Sequence, residues 1–232
     1  MNRTLTNVIR YFMDELIPAV IRDNKYFMYP FYYYAYRGKN LTQVMNFKSL
    51  VYDFTEAEYK KFYDNLDTLS RNRKTDLSRP SLKFILDRLD RTARSILDVG
   101  CGNGYFLSQL KGKRLELHGC DIVDKSADRN FTFTAGNIEK LPYADREFDI
   151  VTCFHTIEHL TNLQQAISEL KRVTKNQLII VTPCQRYFYY TLDEHINFFP
   201  YKEKLTSLVN IKNHTCTKVW GDWVYIADIH EG

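Results

Sequence analysis

The sixteen residues SILDVGCGNGYFLSQL, Ser95–Leu110, constrain the fold more than any other stretch of this chain. A short apolar run leads into Gly100, Gly102 and Gly104, and a second apolar stretch follows. That order reads as strand, tight turn, helix. Three missing β-carbons let the chain reverse sharply and leave bare backbone open to a ligand at the helix start. Turns of this kind belong to parallel α/β sheets, whose ligands bind beyond the C-terminal ends of the strands. A dinucleotide is one candidate ligand, but two details argue against it. Asp98 lies two residues before the first glycine, and an acid there repels phosphate while accepting from an ammonium or a hydroxyl. The last glycine of G-x-G-x-x-G is also missing, and Tyr105 and Phe106 stand near its place.

The surrounding pattern extends this reading. Short apolar runs at Ser95–Val99, Leu115–Cys120, Phe131–Ala135, Phe148–Cys153 and Gln177–Thr182 alternate with helical spacings. Leu82, Ile85, Leu86 and Leu89 mark an amphipathic helix starting near Pro80. Leu163, Ala166, Ile167 and Leu170 mark another, with Thr161 and Gln164 as its expected capping box. A further helix is expected near Glu203–Val209. Cys216–Trp220 and Trp223–Ile229 read as a hairpin turning at Gly221–Asp222, so the sheet should end with an antiparallel strand.

The N-terminal third is different in kind. It shows no strand alternation. A first helix is expected before Pro18 and a second over Glu56–Leu69, and the polar Ser70–Pro80 reads as a linker. Residues 1–80 hold thirteen Lys/Arg against nine Asp/Glu, which is the whole net charge of +4 in the 232-residue chain, and 16 of its 34 aromatics. Tyr26–Tyr36 packs eight aromatics into eleven residues, too few and too hydroxylated to cross a bilayer, but suited to a groove wall or an interface. The expected organisation is an aromatic helical acceptor lobe over 1–79 and an α/β domain over 80–232. The lobe is also a candidate homodimer face. Nucleic acid is not an expected partner, since no basic module is recognisable. No long uncharged apolar run predicts a spanning helix, the first residues lack the apolar middle of a secretory signal, and a cytoplasmic address follows. The five cysteines are odd in number, lack C-x-x-C spacing and read as free thiols.

The other candidate site residues lie at strand ends. Asp121, seventeen residues after Gly104, could accept both hydroxyls of a ribose. Asn137 could read the amino group and ring nitrogen of an adenine, with Ile138 against the base. DVGCGNG, CDI, GNIEKLPYADREFDIV and FHTIEHL, in this order, resemble the class I S-adenosylmethionine-dependent methyltransferases over about residues 80–185. The resemblance implies a Rossmann-like doubly wound sheet of seven strands, the last antiparallel. It implies S-adenosylmethionine as cofactor, with Asp98, Gly100, Gly102 and Gly104 around the methionine part, Asp121 and Ile122 at the ribose, and Asn137 and Ile138 at the adenine. Many relatives carry Asp where this chain has Asn137, and the neutral amide still reaches the adenine amino group. Arg73, beside Arg71 and Lys74, could hold the cofactor carboxylate or an anionic acceptor.

Methyl transfer to a hydroxyl requires a group that takes its proton. His155, just beyond the strand Phe148–Cys153, and His195, downstream of the next strand, are the expected catalytic residues. His155-x-x-Glu158-His159 with His195 is similar to the E-x-x-E-H plus His metal cluster of some members, but His155 replaces the first acid and no metal is expected. The expected activity is methylation of O or N on a small polar acceptor, such as a sugar or another building block of a surface glycan or secondary metabolite. The rival readings are an RNA or protein methyltransferase, and a catalytically silent cofactor-binding subunit. The N/D-P-P-Y/F tetrad of many base and protein amine methylators is absent: Phe154-His155-Thr156-Ile157 stands there.

Overall fold

The computed structural model describes residues 8–9, 11–66, 74–125 and 130–229. The chain forms two compact units, one of Lys74–Cys184 with Tyr201–Gly232, the other of Met1–Arg73 with Gln185–Pro200. This differs from a division at 79/80. The first unit begins at Lys74, and sixteen residues from the middle of the α/β region pack with the N-terminal third instead.

The α/β unit is a seven-stranded sheet in the order β3-β2-β1-β4-β5-β7-β6. The strands are β1 (Ser95–Val99), β2 (Glu116–Asp121), β3 (Thr132–Ala135), β4 (Phe148–Phe154), β5 (Thr174–Pro183), β6 (His214–Val219) and β7 (Asp222–Asp228). The first five pair in parallel, and β7 runs antiparallel between β5 and β6. The expected antiparallel ending is present, with β7 inserted rather than placed at the edge. The hairpin turn is Trp220–Gly221, one residue earlier than expected, because both residues take positive φ (48° and 88°), the geometry of a tight type I′ reversal. Asp222 thereby becomes the first residue of β7. Ile150, Val151 and Cys153 of β4 are fully buried, as befits a central strand covered on both faces.

Helices in this unit follow the sequence signals with one correction. The helix Arg79–Leu86 starts where the Ser78 side chain accepts from Ser81 N (3.0 Å), with Pro80 in the first turn. Leu163–Val173 is capped by Asn162, which accepts from Gln165 N (3.3 Å), not by a Thr161 box. Asn162 is the residue adjoining the first helical one, and its short amide reaches the free N–H. Lys202–Val209 forms as expected.

The second unit is helical. Phe12–Leu16 winds as a π-helix and stops at Ile17, whose extended backbone is the one favoured before Pro18. Helix α1, Lys25–Ala35, is capped by Asn24, which accepts from Tyr26 N and Phe27 N. Helix α2 covers Glu56–Asp64. Met28, Tyr32 and Tyr36, each one turn apart, form the only buried stripe of the tyrosine run and pack with Met45, Phe47 and Phe188. The buried hydroxyls find partners on the Gln185–Pro200 segment. Tyr32 donates to Thr191 O (2.5 Å) and Tyr36 to Glu194 Oε1 (2.8 Å). These bonds explain why that segment joins the N-terminal unit.

Candidate active site

The glycine turn follows β1 directly. Gly100, Gly102 and Gly104 all take positive φ (74°, 54° and 75°), where an L side chain is strained. The space around them differs. A β-carbon at Gly100 would collide with the Thr156 side chain and one at Gly104 with the Phe131 ring, whereas one at Gly102 would meet nothing within 4 Å. Gly102 is therefore the point at which the turn opens outward. Gly100→Ala combines strain with overpacking and should destabilise the fold by about 1–3 kcal/mol, read as a lowered denaturation midpoint.

Four of the turn's N–H groups bond within the fold. Gly100 N (2.7 Å) and Cys101 N (3.2 Å) donate to Cys120 O, Gly104 N donates to Cys101 O (2.9 Å), and Gly102 N donates to Asp121 Oδ2 (2.8 Å). A phosphate cradle needs those donors free and aimed at the ligand. The helix beyond the turn is one turn long, Tyr105–Ser108, so it supplies little of the dipole expected of a longer helix. A diphosphate meets four donors already engaged here, and two carboxylates to repel it.

Those carboxylates are Asp98 and Asp121. Register places Asp98 beside Thr152 of β4, whose hydroxyl donates to Asp98 Oδ1 (2.7 Å). Burial pushes the Asp98 carboxyl up to about 7, against the Thr152 hydrogen bond, which holds it down, and the Asp121 charge adds to the rise. Asp121 closes β2 and ties it to the turn, with Oδ1 accepting from Val123 N (3.1 Å). Ile122 is half-buried beside it. After β3, Asn137 Oδ1 accepts from Glu139 N (2.9 Å) in a local turn, so its oxygen already carries one bond. Ile138 is buried at 6% exposure, which leaves only an edge for a base to touch. Arg71 and Arg73 lie outside the described residues.

His155 follows β4 in a left-handed conformation (φ 49°), rare for a residue of its size. Its ring is buried between two carboxylates, with Nδ1 3.3 Å from Glu158 Oε1 and Nε2 3.7 Å from Asp222 Oδ1. Asp222 also accepts from Ser81 Oγ (3.0 Å), and Glu158 from Thr182 Oγ1 (3.4 Å). The ring thus lies between two buried acids, nearer to Glu158 than to Asp222.

His195 lies in the other unit. Its Nδ1 is 2.6 Å from Gln185 Oε1 and 3.2 Å from Asp193 Oδ2. Gln185 Nε2 donates to Asp193 Oδ2 (3.1 Å), which orients the amide and turns its oxygen to His195. That oxygen can only accept, so Nδ1 carries a proton and Nε2 of the neutral ring carries the lone pair. Gln185 and Asp193 had no sequence motif to announce them.

A family model described as a methyltransferase domain matches residues 97–181. That stretch runs from β1 through the glycine turn, Asp121 and His155 to β5. Residues 97–181 are those of a methyltransferase domain. Curated relatives of this methyltransferase domain include the ubiquinone biosynthesis O-methyltransferase of Rickettsia bellii, 26% identical over 120 residues (45% of this chain, 50% of that protein). The probable chloroplastic tocopherol O-methyltransferase of Oryza sativa subsp. japonica is 29% identical over 152 residues (56% and 42%). The chain spans about half the length of the curated relatives it matches. Among solved structures, a SAM dependent methyltransferase from Aquifex aeolicus superposes with a TM-score of 0.51 at 20% identity. That match covers 76% of this chain and all of that one, and it bears on the fold.

None of the thiols beside the turn is poised as a nucleophile. Burial pushes Cys120 up to about 12, and Cys101 and Cys153 also rise, burial being the largest cause. All five cysteines are free.

Proposed function

We propose that this chain is an S-adenosylmethionine-dependent O-methyltransferase of a small molecule. One observation carries the cofactor assignment: the N–H groups of Gly100, Cys101, Gly102 and Gly104 bond within the fold, the three glycines open outward only over Gly102, and the turn is flanked by Asp98 and Asp121. Two acids suit a ligand with an ammonium, a sulfonium and ribose hydroxyls, and no phosphate. In this reading Asp98 accepts from the methionine ammonium. Asp121 receives the ribose while holding Gly102, Ile122 lines that side, and Asn137 with the edge of Ile138 meets the adenine. S-adenosylmethionine supplies an electrophilic methyl on sulfur. The chain's part is to align a hydroxyl behind that carbon, exclude water and accept the proton.

Hydroxyl methylation is favoured over amine methylation by the relatives' names, which are O-methyltransferases of ubiquinone and tocopherol biosynthesis. We carry over to this chain an acceptor with a ring-borne hydroxyl. A sugar acceptor rests only on the tyrosine content of the N-terminal third. A screen of phenols, quinols and sugars for S-adenosylhomocysteine formation tests this. Turnover of a sugar and of no phenol overturns the acceptor assignment.

Asp98 gives the reading a pH signature. Its raised carboxyl is neutral below about 7, and an ammonium needs it ionised. Cofactor affinity should therefore rise as pH rises through about 7 and level off above it. Asp98→Asn should bind more weakly and lose that rise. The same shift costs stability in the opposite sense: the folded state binds the extra proton, so stability falls as pH climbs from the ordinary carboxylate range towards 7. Asp98→Asn should melt above the wild type at pH 8, and the gap should close towards pH 4.

A further inference from the structure

Helix α1 is apolar nearly all round, yet it buries only the stripe of Met28, Tyr32 and Tyr36. A helix of that composition is normally covered on every side. Its outer face instead carries Tyr26 at 87% exposure and Tyr34 at 74%, with Phe27, Pro30 and Tyr33 beside them at helical spacing. The turn before it, Ala19–Arg22, exposes Val20 at 80%. Of the eighteen large apolar side chains exposed among the described residues, thirteen fall within residues 8–34. A concentration of this kind marks an interaction surface.

Charge decides which surface covers it. Residues 24–52 contain no Asp or Glu and four cations, Lys25, Arg37, Lys39 and Lys48. Lys25, Arg37 and Lys39 are exposed at the two ends of α1. The acids just before them are turned to partners in the same unit. Asp14 faces Arg22 (3.8 Å), Glu15 faces Arg186 (3.2 Å), and Asp23 accepts from Tyr189 N (2.5 Å). A second copy laid on this face would set cation against cation with no acid to offset them. Tyrosines and phenylalanines flanked by lysine and arginine are instead the composition of a layer that sits among lipid headgroups. No helix among the described residues is long and apolar enough to cross a membrane, so the contact is with the surface.

We propose that the outer face of α1, with the turn Ala19–Arg22, docks on an anionic lipid bilayer. The aromatic rings enter the headgroup region, and Lys25, Arg37 and Lys39 face the lipid phosphates. This does not depend on the methyl-transfer reading, because its readout is binding to lipid and not turnover.

The test is co-sedimentation of the full chain with vesicles of phosphatidylcholine alone and of phosphatidylcholine with phosphatidylglycerol in equal parts. The chain should pellet with the anionic vesicles at low salt, less so at high salt, and weakly with phosphatidylcholine alone. Lys25→Gln with Lys39→Gln should weaken partitioning about thirtyfold. Tyr26→Ser with Tyr34→Ser should also release the protein, at an unchanged melting temperature, since neither side chain is buried. Equal binding to both vesicles, or to neither, overturns the proposal. So does a dimer seen by light scattering that Tyr26→Ser with Tyr34→Ser dissociates, because a second copy then covers the face.

Discussion

His195→Ala should lower turnover by roughly 10²–10⁴-fold, the range for a lost general base, with little change in cofactor affinity, on our proposal that His195 takes the acceptor's proton. The argument rests on the tautomer. Gln185 Oε1 accepts from Nδ1, which leaves the lone pair of the neutral ring on Nε2, and the nearby Asp193 carboxylate stabilises the imidazolium that forms when the ring takes a proton. His155→Ala should behave differently. Removing that ring leaves the buried carboxylates of Glu158 and Asp222 facing each other without it, and breaking such a cluster costs about 3–5 kcal/mol. The expected result is a protein that melts far lower, with turnover per folded molecule falling much less than for His195→Ala. Single-turnover rates on both variants, normalised to the folded fraction, check this. If His155→Ala stays folded and loses the larger factor, the two roles are reversed.

Gly102→Val should abolish S-adenosylmethionine binding. The position is open, with nothing within 4 Å of an added β-carbon, so the fold need not repack around the new side chain. The added methyls would occupy the space through which the cofactor reaches the turn. Positive φ makes a β-branched residue strained there, so some loss of stability is expected as well. Gly102→Ala separates the two effects. It carries the strain with less bulk, and it should retain weakened binding. Asp121→Ala should also bind poorly, because it removes an acceptor for the ribose and frees the Gly102 N–H it holds.

What was legible in the sequence was local. Alternation of short apolar runs with helical spacings marked five parallel strands. Gly221–Asp222 between apolar runs marked the closing hairpin to within one residue, and Asp98 and the glycines were placed by the turn they build. Errors of one residue arose where neighbouring side chains competed for one job, as Asn162 did with Thr161 for the cap. The illegible parts depend on residues far apart in sequence. Asp222 meets His155 across the sheet, where β7 inserts beside β5, and no spacing announces that approach. Gln185–Pro200 joins the N-terminal unit because tyrosine hydroxyls at positions 32 and 36 bond to it. Periodicity carries no trace of such pairings.

The central claim is that the glycine turn and its two acids receive S-adenosylmethionine and no phosphate-bearing cofactor. Isothermal titration of the full chain with S-adenosylmethionine, S-adenosylhomocysteine and NAD tests it most directly. Heat of saturable binding should appear with both sulfur nucleosides and not with NAD. Tight NAD binding, with no heat from S-adenosylmethionine, would contradict the account.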